Sequence, residues 1–250
     1  MRIVVPEDSI WTEKHRRYDK TLLELLCAKD LLIVLTHRGP PYEVVLGVPH
    51  QAALGDGYIC DNGLRRWSDE NAASYALVAF SVMAEHDIPC KLAIVAHSLT
   101  VDPNKEVKSP YLHEIFSERC KFLMECHGAG SGTKLDLELS AGRNTLSETT
   151  KFGERLSSIL QHRYALGAQT QAGSDKCLVF LPDGTKSEGQ LQFPANRTTS
   201  LVEAQKRGVP ALHLEAKPRF RKGSDGENAV TDDGIILGCG LAQAIMKGPL

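Results

Sequence analysis

Two short apolar runs, each ending in a histidine, constrain the fold of this chain most strongly. Glu43-Val44-Val45-Leu46-Gly47-Val48 is β-branched and brief, and Pro49 removes the backbone donor that would extend it, so the run is a strand with His50 at its end. Lys121-Phe122-Leu123-Met124-Glu125-Cys126-His127 reads as a buried strand, and Gly128, Gly130 and Gly132 after it open a loop. With a period of two, Glu125 and His127 share one face of that strand; Cys126 points to the other, which excludes a Cys-His nucleophile built from these neighbours. Ligands of open α/β sheets gather outside the carboxyl ends of the strands, so two imidazoles delivered there can converge although distant in sequence. Such a pair suits a metal ion, and a metal ion suits hydrolysis.

Strand and helix alternate along the rest of the chain. Residues 21–28 form a short helix, and strands over 31–36 and 43–48, joined through Arg38-Gly39-Pro40-Pro41, form an antiparallel hairpin. After an irregular stretch over 55–68, a helix over 69–85 is capped by Ser68, and a strand follows over 91–96. A proline-led helix over 110–119 feeds the strand that carries His127, and 135–139 alternates as a half-exposed strand. A long amphipathic helix over 146–166, a strand over 177–181 and a turn at Pro182-Asp183-Gly184 come next. A helix over 199–206, a strand over 211–215 and a last helix over 233–246 complete the series. The rhythm predicts one α/β domain over residues 1–250, with helices on both faces of the sheet.

Composition narrows the partners. Lys and Arg number 29 against 31 Asp and Glu, a formal charge of −2, so no global field draws nucleic acid or an anionic membrane. The odd set of 7 cysteines has no CxxC, and several lie in apolar runs, as reduced core thiols of a cytoplasmic protein do. Residues 1–20 lack the apolar core of a signal peptide, and no apolar run reaches membrane-spanning length. A soluble cytoplasmic protein acting on a small molecule is expected. The oligomeric state stays open, a homo-oligomer included.

A catalytic zinc takes three protein ligands and keeps a position for water. The third ligand is sought among Asp69 and Glu70, at the start of a helix whose dipole favours negative charge. His213 and Glu215 alternate onto one face of the strand over 211–215, where they enter the same cleft. Other signals carry less. Gly128 to Lys134 lacks the Gly-Lys-Ser/Thr order of a phosphate loop, no Gly-x-Ser-x-Gly elbow occurs, and His97 and His113 read as ordinary satisfied histidines.

Taken in order, these segments resemble the N-formylglutamate amidohydrolase family, within the wider zinc carboxypeptidase and aspartoacylase-like group. Val48-Pro49-His50 is similar to the family's first Pro-His ligand segment, and Ser68-Asp69-Glu70 stands near its acidic ligand. Val101-Asp102-Pro103-Asn104-Lys105 resembles its Asp-x-Asn-Arg loop, Glu125-Cys126-His127-Gly128 its Asp-Leu-His-Gly, and Pro210-Ala211-Leu212-His213-Leu214-Glu215 its late glutamate-bearing strand. The resemblance implies a three-layer α/β/α sandwich with a mixed, mainly parallel sheet. It also implies one zinc ion on His50, His127 and either Asp69 or Glu70, with Glu215 as general base. The implied reaction is hydrolysis of a C–N amide bond of an N-formyl or N-acyl compound.

Asn104 and Lys105 then belong to the substrate-binding loop, with Arg143 and Arg197 as further anion clamps. Lys105 stands where arginine is usual and offers a point charge instead of a bidentate fork. Glu125, Asp102 and His213 are expected to support the ligands from behind. The alternative is a member of the same fold that has lost catalysis and keeps small-ligand binding.

Overall fold

The structure is a computed structural model. It describes residues 32–51, 58–59, 65–66, 69, 71–95, 102–130, 137–142, 144, 146–160, 178–181, 195, 198–222 and 230–247. Seven strands form one sheet: β1 (Leu32–His37), β2 (Val44–Val48), β5 (Cys90–Val95), β6 (Leu123–Gly128), β7 (Leu137–Ser140), β8 (Leu178–Leu181) and β9 (Ala211–Ala216), in the order β1-β5-β2-β6-β9-β7-β8. A small ladder of β3 (Tyr58–Ile59) and β4 (Arg65–Arg66) lies in the stretch expected to be irregular. Within the seven-stranded sheet only β1 with β5 and β7 with β9 run antiparallel. The remaining pairs are parallel, so the sheet is mixed and mainly parallel.

Both faces are covered. On one, α1 (Ala73–Glu85), α3 (Ser147–Ser158) and α5 (Asp232–Met246) bury Val44, Leu46, Leu92, Ile94, Met124, Leu212 and Leu214, with Phe152 of α3 against Phe122 at 4.2 Å between ring centroids. On the other, the shorter α2 (Pro110–Ile115) and α4 (Thr199–Lys206) cover Val45, Ala93, Val95, Leu123 and Ala211. This is the expected α/β/α sandwich, and its central strands are continuously apolar because neither face meets water. Helix ends follow local chemistry. The Ser109 hydroxyl accepts from Leu112 N–H ahead of Pro110, and the Thr231 hydroxyl accepts from Gly234 N–H ahead of Asp232 and Asp233.

Four expectations need correction. β1 and β2 form no hairpin, because β5 lies between them. β2 is buried along its whole length and takes a parallel neighbour on each side, whereas half-exposed β1 tolerates the sheet edge. The helix expected over 69–85 begins at Ala73, since Asn71 has φ 63°, outside the helical region. Its Ala73 N–H is satisfied by the buried Gln51 side chain, at 3.0 Å. The helix expected over 110–119 ends at Ile115, and β7, expected half-exposed, is buried throughout. The helix expected over 21–28 and the turn at 182–184 lie outside the described residues. Among the described residues, no helix is long and apolar enough to cross a membrane.

Candidate metal centre

The face of the sheet beneath α2 and α4 changes character along its strands. Near their amino ends β6 and β9 present Leu123 and Ala211; further on they present Glu125 and His127 beside His213 and Glu215, with Glu125 opposite His213 and His127 opposite Glu215. β7 adds Ser140 opposite His213 and Glu138 opposite Glu215. All six are buried. Buried polar groups persist only when each finds a partner, so this patch commits the strand ends to a network.

His50 reaches the same place from β2. The Asp69 N–H donates to the His50 carbonyl at 2.9 Å, which brings residue 69 against the end of that strand. Asp69 Oδ2 then lies 2.8 Å from His127 Nδ1 and 3.4 Å from His50 Nδ1, and the two imidazole rings stand 5.0 Å apart at 73°. His50 Nε2 lies 3.1 Å from Asp102 Oδ1, and the Tyr75 hydroxyl donates to the His127 carbonyl at 2.8 Å. Asp69 is thus an outlying acid of the turn before α1 and not part of the helix's first turn; what places it is the backbone bond to His50, not the helix dipole. Glu70 lies outside the described residues.

The charges respond to this crowding. Burial by itself would lower the His50 pKa, but hydrogen bonds to Asp102 and Asp69 outweigh it and hold the imidazole up to about 9. Burial likewise opposes ionisation of Asp69, yet its bonds to His127 and His50 keep the carboxyl well below the usual range. Two imidazole nitrogens and one carboxylate oxygen therefore converge on one point, and their side chains are 13%, 2% and 15% exposed for His50, His127 and Asp69. Borderline N and O donors that are largely buried, with one side open, are what a catalytic zinc requires, so the residues present fit that ion.

Glu125 and His213 lie deeper. The Tyr111 hydroxyl donates to Glu125 Oε1 at 2.9 Å, and the Asn104 amide lies 3.3 Å from Glu125 Oε2. His213 Nε2 lies 2.9 Å from Glu215 Oε1, and Arg219 Nε lies 3.5 Å from Asp233 Oδ2. Burial would lower the His213 pKa, but Glu125 and Glu215 hold it up to about 9.

Of the expected substrate residues, Asn104 is buried, whereas the Lys105 side chain is 35% exposed with Nζ 3.4 Å from Asp102 Oδ2. The amino end of α4 fixes this loop, with Thr199 N–H donating to the Asn104 carbonyl at 2.9 Å and its hydroxyl to the Lys105 carbonyl at 2.6 Å. Arg143 and Arg197 lie outside the described residues. His113 is exposed and away from the cluster, and Cys126 is buried on the opposite face, where burial pushes its thiol up.

Two contributors escaped the sequence reading. Tyr111 shows no motif. Arg221, buried beyond the end of β9, donates to the Ala216 carbonyl at 3.1 Å and the Ala129 carbonyl at 2.6 Å, tying the ends of β6 and β9 together. A signal for it does exist in Gly128. A Cβ there would come within 2.6 Å of the guanidinium and 2.8 Å of the Asp69 carbonyl, so only glycine lets both approach the strand end.

No family model matches the chain, and no curated protein matches it in sequence. Solved structures do. The N-formylglutamate amidohydrolase of Ralstonia eutropha JMP134 is similar with TM-score 0.51 at 9% identity, over 86% of this chain and 96% of that one. A bacteriophage poly-gamma-glutamate hydrolase gives 0.49 at 12% identity over 90% and 93%, and a metallo-carboxypeptidase from Burkholderia cenocepacia 0.49 at 11% over 94% and 68%. The chain shares its three-layer α/β/α fold with N-formylglutamate amidohydrolase, and gathers two imidazoles and a carboxylate at the carboxyl ends of its central strands.

Proposed function

We propose that this protein is a zinc-dependent hydrolase of the C–N amide bond in an N-formyl or N-acyl amino acid or similar small compound. The observation that carries the reading is the convergence of His50 Nδ1, Asp69 Oδ2 and His127 Nδ1 on one partly open point. These three would hold the ion; Asp69, beside both imidazoles, fills the role for which Glu70 is the other candidate.

When bound there, zinc supplies a Lewis acid that polarises a carbonyl and acidifies water. The remaining work falls to the chain. Glu215, on β9 opposite His127, takes the proton of the attacking water and returns it to the leaving amine nitrogen. Asp102 accepts from His50 Nε2–H and so fixes the tautomer in which Nδ1 is the ligating nitrogen. Lys105 holds an anionic group of the substrate by charge, with Arg143 and Arg197 as further clamps and the Asn104 segment shaping the loop. The partner is a small molecule, neither nucleic acid nor membrane, and the setting is the cytoplasm.

The test joins metal analysis to a screen of N-formyl and N-acyl amino acids for amine release. Zinc near one ion per chain or above, lost in His127→Ala, together with turnover lost in Glu215→Gln, is the expected result. A zinc-loaded protein that cleaves none of them would favour the ligand-binding reading, and absence of zinc after reconstitution would remove the mechanism.

A further inference from the structure

Glu125, His127 and His213 each offer one ligand atom, all within 4.8 Å of one another, beneath the first cluster. Glu125 Oε2 is 3.8 Å from His127 Nε2 and 3.9 Å from His213 Nδ1. These spacings are too long for hydrogen bonds and close to those of donors sharing one ion, since ligands about 2.0–2.2 Å from a tetrahedral centre stand roughly 3.5 Å apart. The Asn104 amide supplies a fourth corner, its Nδ2 3.3 Å from Glu125 Oε2 and 3.4 Å from His127 Nε2.

An independent observation points to the same space. His213 Nδ1 has no hydrogen-bond partner among the described residues, although His213 is only 5% exposed; Asn104, 1% exposed, turns Nδ2 to the cluster and leaves Oδ1 on its other side without one. Buried orphans of this kind call for a group that satisfies them. Half a turn of the Asn104 amide, whose O and N are assigned from the network, presents Oδ1 to the cluster.

Each donor is also held from behind, as metal ligands are. The Tyr111 hydroxyl occupies Glu125 Oε1, so Oε2, beside the Asn104 amide, is the oxygen turned to the cluster; Glu215 accepts from His213 Nε2–H and leaves the lone pair on Nδ1. His127 turns Nδ1 to Asp69 and Nε2 to this second group.

We propose that Glu125, His127 and His213, with Asn104 as fourth ligand, form a second and fully buried divalent-cation site suited to zinc. His127 bridges the two ions, giving up its remaining ring proton to solvent when the second ion binds. The site has no face open to substrate, so its ion is structural, locking β6 to β9 beneath the first centre. The inference rests on the hydrolase reading only through the shared His127.

Zinc alone is the probe, with ions per chain measured by plasma mass spectrometry after removal of free metal, and folding checked by circular dichroism. The wild type should hold about two, and His50→Ala, His213→Gln and Glu125→Gln about one each. With cobalt in place of zinc, folded His50→Ala should show the intense visible bands of four-coordinate cobalt. A wild type that holds one ion, unchanged in folded His213→Gln and Glu125→Gln, would overturn the second site and leave the hydrolytic centre standing. One ion kept by His50→Ala but lost by His213→Gln would do the reverse.

Discussion

Asp102 Oδ1 stands 3.1 Å from His50 Nε2, with the Asp102 side chain only 4% exposed. A buried carboxylate behind an imidazole sets which nitrogen carries the proton, and so which one faces a metal. Asp102→Asn keeps the shape and removes the charge. Zinc affinity should fall roughly 10–100-fold, measured by competition with a chromophoric chelator, while the circular dichroism spectrum is retained. An unchanged affinity would show that Asp102 does not orient His50.

Glu215→Gln keeps the volume and the hydrogen bond to His213 but removes the base. We expect zinc content to stay at the wild-type level while kcat for amide release falls by about 10²–10⁴. Loss of zinc together with activity would place Glu215 among the ligands instead.

Gly47 lies on β2 beneath α2, where an added Cβ would overlap the Tyr111 hydroxyl and ring. The same hydroxyl donates to Glu125. Gly47→Ala should cost about 1–3 kcal/mol through overpacking, read as a lower urea midpoint with unchanged slope. It should also perturb metal binding, because Tyr111 can no longer reach Glu125.

The metal-free protein should lose stability in alkali. His50 and His213 are held at about 9, above the ordinary 6.5, by carboxylates that outweigh the effect of burial. Their contribution is complete below about 6.5 and lost as pH rises through about 9. Asp69 and Glu125 are held below the usual carboxylate range, so their contribution is lost only in acid, as pH falls through their lowered values. Without metal the urea midpoint should drop between about pH 7 and pH 10. With zinc the imidazoles are neutral ligands, and the midpoint should hold across that interval. Equal profiles in the two forms would count against ligation by these histidines.

The sequence made the strands legible wherever burial on both faces wrote a continuous apolar run, as at β2, β5, β6 and β9, and it made His50, His127 and Glu215 legible by placing them at the ends of such runs. It could not place β1, because an edge strand and a hairpin strand carry the same half-exposed pattern. Nor could it show that Asn71 breaks the helix short of Asp69, since a positive φ at Asn depends on surroundings. The Leu-Glu alternation of β7 looked half-exposed because Glu138 and Ser140 turn towards a buried polar patch instead of water. Tyr111 was silent for a similar reason: its role comes from a cross-layer contact with Glu125 that no local spacing encodes.

The order of strands has a consequence for how the molecule is made. Among the described strands β9 is the last to be synthesised, yet it belongs between β6 and β7, near the middle of the sheet. Until it arrives, β6 and β7 present unpaired edges, and His127 waits without the strand that carries His213 and Glu215. Insertion of a late central strand is a long-range event and therefore slow, and open edges invite association between nascent copies. Chaperone supply and growth temperature should thus govern the yield of soluble protein more strongly than the stability of the finished fold does.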